Sequence, residues 1–238
     1  MGAAGAAAQG TDPDRPVTAR PLVVLGGGEH GRVVIEAARS RPGDWDVVGV
    51  VDPSPAPSAV TGLGVTYLGD DAAFEARTSA AGDDDTRPWL AIGLGGIDPG
   101  PRRALADRQA EGAAWATVVH ATAWVSPSAT LAPGSVVLGG ATVNAGARIG
   151  PHAIVNTGAI VEHDVTIGAF GQVAPGAVVG GGTSIGEGAF IGLGARVRDH
   201  VTIGESAIVG MGAVVVGDVA PCTTVAGHPA TPREADRA

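Results

Sequence analysis

The sequence predicts a parallel α/β layer followed by a parallel β-solenoid, and three observations lead there. From Val119 to Val215 an aliphatic residue recurs every six positions, seventeen times without a miss. Ahead of that run, residues 21–110 alternate short apolar stretches with amphipathic ones, the first two joined by a glycine-rich loop. Aromatic residues are 3% of the chain against 39 glycines in 238 residues. A conventional core of large side chains is therefore out of reach, and a repeat has to fill the interior.

Taken in order, Met1–Arg20 has neither a basic n-region nor a Leu-rich h-region, so it is expected to be a disordered tail and not a signal peptide. Pro21–Leu25 (PLVVL) is a short buried strand, Gly26–Gly31 (GGGEHG) a glycine loop, and Arg32–Ser40 a helix with one apolar face. Asp46–Val51 is a second strand that ends at Asp52. After a turn-rich linker come a strand near Val65–Leu68, a short helix near Ala72–Arg77, a strand over Trp89–Gly93 and a helix around Arg102–Ala110. The acidic run Ala80–Arg87 is expected to be a solvated loop. This alternation makes a parallel, Rossmann-like sheet over 21–115. One mononucleotide-binding half is present, too little for a complete dinucleotide fold.

The period of six fits neither a helix nor a flat strand. The fourth residue after each aliphatic is small or β-branched, as at Ala123, Ala141, Ala159, Ala177 and Ala195. One branched residue facing in and one small residue near a corner suit a short strand followed by a tight turn, with three hexads closing a triangular coil of 18 residues. The solenoid is expected over 116–232, with 233–238 a tail.

Composition excludes several function classes. Fifteen arginines, no lysine and 24 acidic residues give a formal charge of −9, the wrong sign for wrapping a phosphate backbone. Residues 165–186 carry no charge, but their glycines and Pro175 make a poor membrane span. A single cysteine, Cys222, allows no internal disulfide and fits a reducing cytoplasm. No Cys/His spacing of ligand type exists, so no metal is expected.

Two motifs carry chemistry. Gly26, Gly28 and Gly31 fit G-x-G-x-x-G between strand and helix, where bare backbone lets a diphosphate approach the helix N-terminus, and Asp52 is placed to hydrogen-bond a ribose or base. The usual meaning of that pattern is NAD, the small unit favours one nucleotide, and a ligand-free glycine turn is the bland alternative. Within the repeat, Glu162-His163-Asp164 offers a histidine with flanking carboxylates, suited to taking a proton from an attacking amine or hydroxyl. A solvated turn histidine is the alternative. Eighteen residues on from His163 lies Gly181, within Gly180-Gly181-Gly182, so the histidine should sit beneath a patch without side chains. Leu193 and Met211 are also eighteen apart, and a slot for a long thin ligand is expected to run past His163 up the wall. His120, His152 and His200 read as solvated or capping. Cys222 lacks a base, which favours direct transfer over an acyl-enzyme.

The hexads resemble those of the hexapeptide-repeat acyltransferases, whose fold is a left-handed parallel β-helix, an exception to right-handed crossovers. The glycine loop with His30, the segment Asn156–Gly168 (NTGAIVEHDVTIG), APGA at Ala174 and GHPA at Gly227 look like the two-domain sugar acetyltransferases that include sialic-acid O-acetyltransferases and UDP-4-amino-sugar N-acetyltransferases. The likeness runs from about Pro21 to Arg233. It implies that His163 is the general base, Asp164 its orienting partner, and Asn156 a neighbour of the acceptor. It further implies that Gly26, Gly28, His30, Gly31 and Asp52 hold the nucleotide of a nucleotide-sugar. Gln172, Gly181, Leu193, Gly194 and Met211 would line the track of acetyl-CoA, the co-substrate. A cytoplasmic homotrimer with its site between adjacent solenoids is likewise implied. Relatives usually carry a second histidine where this chain has Gln172, a residue thought to contact the acetyl donor; a glutamine amide donates a hydrogen bond but does not titrate. His228 stands where asparagine is common, a tolerated turn substitution.

The expected function is acetyl-CoA-dependent N-acetylation of a nucleotide-linked amino-sugar of the UDP-4-amino-4,6-dideoxy type, by direct transfer. The alternatives are O-acetylation of sialic acid or another sugar hydroxyl, and a non-catalytic nucleotide-binding scaffold.

Overall fold

A computed structural model describes residues 19–80, 87–109 and 113–233. Residues 1–18 and 234–238 of the expected tails and most of the acidic run Ala80–Arg87 fall outside the described residues; Arg20, expected in the first tail, pairs with Trp45 as the start of the first strand, and Arg233 N–H donates to the Thr224 carbonyl.

Apolar, β-branched PLVVL forms the centre of a small sheet. β1 (Arg20–Leu25) pairs in parallel with β2 (Trp45–Val51) on one side and β3 (Trp89–Ile92) on the other, giving the order β2-β1-β3. The helix after β1, α1 (Glu29–Arg39), begins three residues earlier than its apolar spacing predicts, with Gly28 at the N-cap and Glu29 in its first turn. An acidic residue there complements the positive end of the helix dipole. The linker after β2 holds a helix the sequence reading missed, α2 (Ser58–Leu63), set by Pro57 before it and a left-handed Gly64 after it. The strand expected at Val65–Leu68 shrinks to one parallel bridge, Val50 to Tyr67, because Gly64 and Gly69 turn the chain away on either side. α3 (Asp71–Ala80) and α4 (Gly100–Arg108) lie where helices were expected.

From Val118 onward, two-residue strands recur every six residues and stack into three parallel sheets. They form about six coils of a left-handed β-helix. In each pair the second residue, the periodic aliphatic, points inward: Val137, Val155, Val173 and Val209 are all 0% exposed, and the alanines four residues on pack among them. Burying one branched residue per hexad stabilises by about 1.5–3 kcal/mol each.

The first residue of each pair points outward, and the three faces differ accordingly. On one, Val118 and Val136 join Leu22, Val34 and Ile35 in a single apolar cluster, so the α/β unit is docked there. Ile154, Gln172 and Phe190 continue that face and are buried too. The second face presents Trp124, Thr142, Ile160, Val178, Arg196 and Val214, mostly apolar and with no covering element among the described residues; Trp124 is 52% exposed. The third presents Thr130, Arg148, Thr166, Ser184 and Thr202, all polar and exposed. No helix among the described residues is long and apolar enough to cross a membrane.

Candidate active site

Each coil turns through a residue with positive φ, and these stack into three edges. Along the edge between the docked and apolar faces every such residue is glycine: Gly140, Gly158, Gly176, Gly194 and Gly212. A Cβ on any of them would meet open space, so this edge is a bare strip. Between the apolar and polar faces the turn residues are Gly146, Asp164, Gly182 and His200.

His163 and Asp164 sit on that second edge. Nδ1 of His163 lies 3.0 Å from Oδ2 of Asp164, which fixes the tautomer with the proton on Nδ1 and the lone pair on Nε2. Asp164 has φ 58°, a conformation that aspartate tolerates better than most residues. The dyad is cradled by glycines. A Cβ on Gly146 would come within 2.5 Å of Asp164 Oδ1, and one on Gly181 within 2.5 Å of His163 Nε2. The expected stacking of Gly181 over His163 is therefore present.

The expected slot past His163 is not. Leu193 is thirty residues beyond His163, which is one coil of eighteen plus two sides of six. Whole coils lead up one edge, but two further sides lead to another. Gly194 donates to the Pro175 carbonyl and Gly212 to the Leu193 carbonyl, both along the glycine edge. Leu193, Gly194 and Met211 thus lie with Asn156, whose Oδ1 accepts from Thr157 N–H at 2.7 Å, and Gly181 alone of the expected acetyl-CoA residues lies with the histidine. Beside the glycine edge is an apolar cavity of about 400 Å³, lined among others by Ile97, Gln172, Phe190, Leu193 and Met211. Met211 is 78% exposed at its mouth.

The glycine loop has two kinds of member. Gly26 (φ 94°) and Gly31 interlock, since a Cβ on Gly31 would come within 2.2 Å of the Gly26 carbonyl oxygen, whereas one on Gly28 would meet nothing. Packing thus requires Gly31, while Gly28 leaves space for a ligand. Asp52 accepts from Gly27 N–H at 2.7 Å and from Ser54 N–H at 2.8 Å. Its carboxylate therefore shapes the loop as well as facing it.

Two residues escaped the sequence reading. Arg102 on α4 is 2% exposed and bonds Gln172 and Phe170 of the solenoid. Its spacing to buried Leu105 and Ala106 puts it on the inner face of α4, a signal that its charge obscures. His152 is not a solvated turn residue: it packs edge-on to Trp115 at 4.6 Å and stacks on Phe170 at 5.0 Å, and burial lowers its pKa. Placed on the third edge, it ties the solenoid to the α/β unit.

His30 lies against Gly95, and its Nε2 is buried without a partner among the described residues. Burial first, and the Arg102 charge second, push its pKa from 6.5 down to about 4. The fold holds this ring neutral, whereas the unfolded chain protonates it below pH 6.5. Stability present above pH 6.5 is thus lost as the pH falls toward 4, and at pH 5 His30 accounts for about 2 kcal/mol of that loss. Urea unfolding at pH 7.5 and pH 5.0 checks this: His30→Gln should lose less stability on acidification than wild type, and an equal loss would remove His30 as a cause.

Residues 21–107 match the PglD N-terminal domain. A search of curated protein sequences returns no match. Among solved structures, a variant of perosamine N-acetyltransferase from Caulobacter crescentus, in complex with CoA and GDP-perosamine, is 36% identical at a TM-score of 0.80, over 90% of this chain and 97% of that one. The acetyltransferase domain of PglB from Neisseria gonorrhoeae, in complex with acetyl coenzyme A, is 33% identical at a TM-score of 0.80, over 91% of this chain and 100% of that one. The likeness spans both the α/β unit and the solenoid, and on it the chain belongs to the hexapeptide-repeat family of nucleotide-amino-sugar N-acetyltransferases and is an acetyl-CoA-dependent acetyltransferase.

Proposed function

We propose that the enzyme transfers acetyl from acetyl-CoA to the amine of a nucleotide-linked 4-amino-sugar, at a site that two copies of the chain complete, with His163 as general base. The observation that carries it is the placing of the His163–Asp164 dyad and the Gln172 cavity on opposite edges of the same apolar face. A side of six residues at about 3.3 Å each spans up to about 20 Å, too far for one acetyl group to meet both. Three copies about an axis, each turning its Trp124–Val214 face inward, would bring the histidine edge of one against the glycine edge of the next. A threefold ring closes on itself and covers the apolar face.

Acetyl-CoA would lie along the glycine edge with its pantetheine arm beside Leu193 and Met211 and its thioester toward Gln172. The nucleotide would rest at Gly26, Gly28, His30 and Gly31 with Asp52 shaping the loop, and Asn156 would border the sugar. The acceptor amine attacks the thioester carbonyl carbon, forming the C–N bond. His163 Nε2 takes the amine proton, and Asp164 stabilises the imidazolium through Nδ1–H. The tetrahedral intermediate collapses with C–S cleavage, releasing CoA thiolate. No acyl-enzyme is needed. The complex of the Caulobacter relative with GDP-perosamine supports a nucleotide-linked amino-sugar as acceptor.

Thiol release from acetyl-CoA, assayed with UDP- and GDP-linked 4-amino-sugars beside free sialic acid, tests the proposal. Turnover on a nucleotide-linked amino-sugar and none on sialic acid is expected; turnover only on a sugar hydroxyl would overturn it.

A further inference from the structure

Arg102 is a buried cation with no carboxylate at ion-pair distance among the described residues; Asp98 acts on it only through its more distant charge. Keeping a guanidinium out of water is costly unless its hydrogen bonds are met; here Nε is buried without a partner among the described residues, while Nη1 and Nη2 reach acceptors on Gly96, Phe170 and Gln172. Nη2 donates to the Phe170 carbonyl at 2.6 Å, and Nη1 donates to the Gly96 carbonyl at 3.3 Å and to Gln172 Oε1 at 3.1 Å. Gly96 N–H donates to the same Oε1 at 3.2 Å. Two donors meeting one terminal atom of a carboxamide identify that atom as the oxygen. The NH2 end must then point the other way, and it finds no acceptor among the described residues. Gln172 is 5% exposed and lines the cavity that also contains Phe190, Leu193 and Met211.

We propose that Arg102 is a positioning residue: with Gly96 N–H it locks the Gln172 carboxamide so that its NH2 group donates to the carbonyl oxygen of the thioester in the cavity. A free carboxamide presents nitrogen or oxygen to that carbonyl; the lock leaves only the donor. Negative charge grows on the carbonyl oxygen as the amine attacks, so a donor already in place does not have to reorganise. The guanidinium also draws electron density toward Oε1, which makes the N–H a better donor. Arg102 comes from the α/β unit and Gln172 from the solenoid, so the orientation depends on the docking of the two. This proposal rests on the placing of acetyl-CoA in that cavity proposed above.

Calorimetric titration of the full chain with acetyl-CoA and with CoA, in the absence of acceptor, tests it. Wild type should prefer acetyl-CoA. Gln172→Glu still accepts from Arg102 and Gly96 but has no donor left; it should weaken acetyl-CoA about tenfold, leave CoA within about twofold, and keep the melting temperature. Arg102→Met should weaken acetyl-CoA about threefold, and Arg102→Lys, which can still donate to Oε1, should restore part of the preference. If Arg102→Met does not fold, Gln172→Glu decides. A wild-type preference retained in Gln172→Glu, or in a folded Arg102→Met, overturns the proposal. Where wild type also acetylates an amino-sugar, that result leaves the proposed function standing; wild type that binds neither ligand overturns both.

Discussion

His163→Ala lowers kcat about 10³-fold and moves either KM by less than about threefold, because proton removal by a placed base is worth roughly 10²- to 10⁴-fold and acts in the transition state. The side chain is 58% exposed, so its removal leaves the melting temperature unchanged and the loss is one of chemistry. Asp164→Asn costs about tenfold, since an amide oxygen still accepts from Nδ1–H but carries no charge to stabilise the imidazolium. Gly181→Ala reaches a similar loss by another route: its methyl would stand 2.5 Å from Nε2 and the exposed ring would swing off its platform. Steady-state kinetics of the three variants beside thermal melts checks this. Wild-type turnover by His163→Ala would take the base away from His163.

Two dead variants recover activity on mixing. His163→Ala keeps the cavity and loses the base; Leu193→Arg keeps the base and fills the cavity mouth. In a threefold ring assembled at random from equal amounts, a site is intact when its histidine edge and its glycine edge both come from the undamaged partner, which happens for about a quarter of sites. Co-purified mixtures should therefore regain about a quarter of wild-type activity, where each alone has almost none. A site built within one chain cannot be repaired this way, so a mixture as inactive as its parts would refute sharing. Val178→Asp should separate the copies by placing a charge in the apolar face, and should abolish activity with them.

The solenoid was almost entirely legible, because its period is enforced at every coil by the need to fill a narrow interior. Val137 through Val215 all point inward as the hexads require, and His163 meets Gly181 as a count of eighteen requires. The same count misled at Leu193 and Met211, which share an edge with each other but not with His163. Counting sides of six as well as coils of eighteen would have separated them. The front half was less legible where caps decide. α2 is only six residues long, and Gly62 within it and Gly64 after it read as a turn. The docking of α1 on Val118 and Val136 could not be read, because it joins segments about a hundred residues apart that share no period. Arg102 was hidden by its charge, since an arginine on an inner helical face is intelligible only beside the Gly96, Gln172 and Phe170 oxygens that accept from it.

The three edges of the solenoid obey one common demand, a residue able to hold positive φ, and are otherwise independent. One is stripped to glycine, one alternates glycine with Asp164 and His200, and one carries His152 and Phe170 against Trp115. The aliphatic interior takes no part in these differences. Such an architecture separates the grammar of folding from the vocabulary of recognition. On the proposed function, a lineage can rewrite the histidine edge assigned to the acceptor without retuning the glycine edge assigned to the donor or the edge that holds the α/β unit, so new sugars become reachable through a few substitutions at intervals of eighteen.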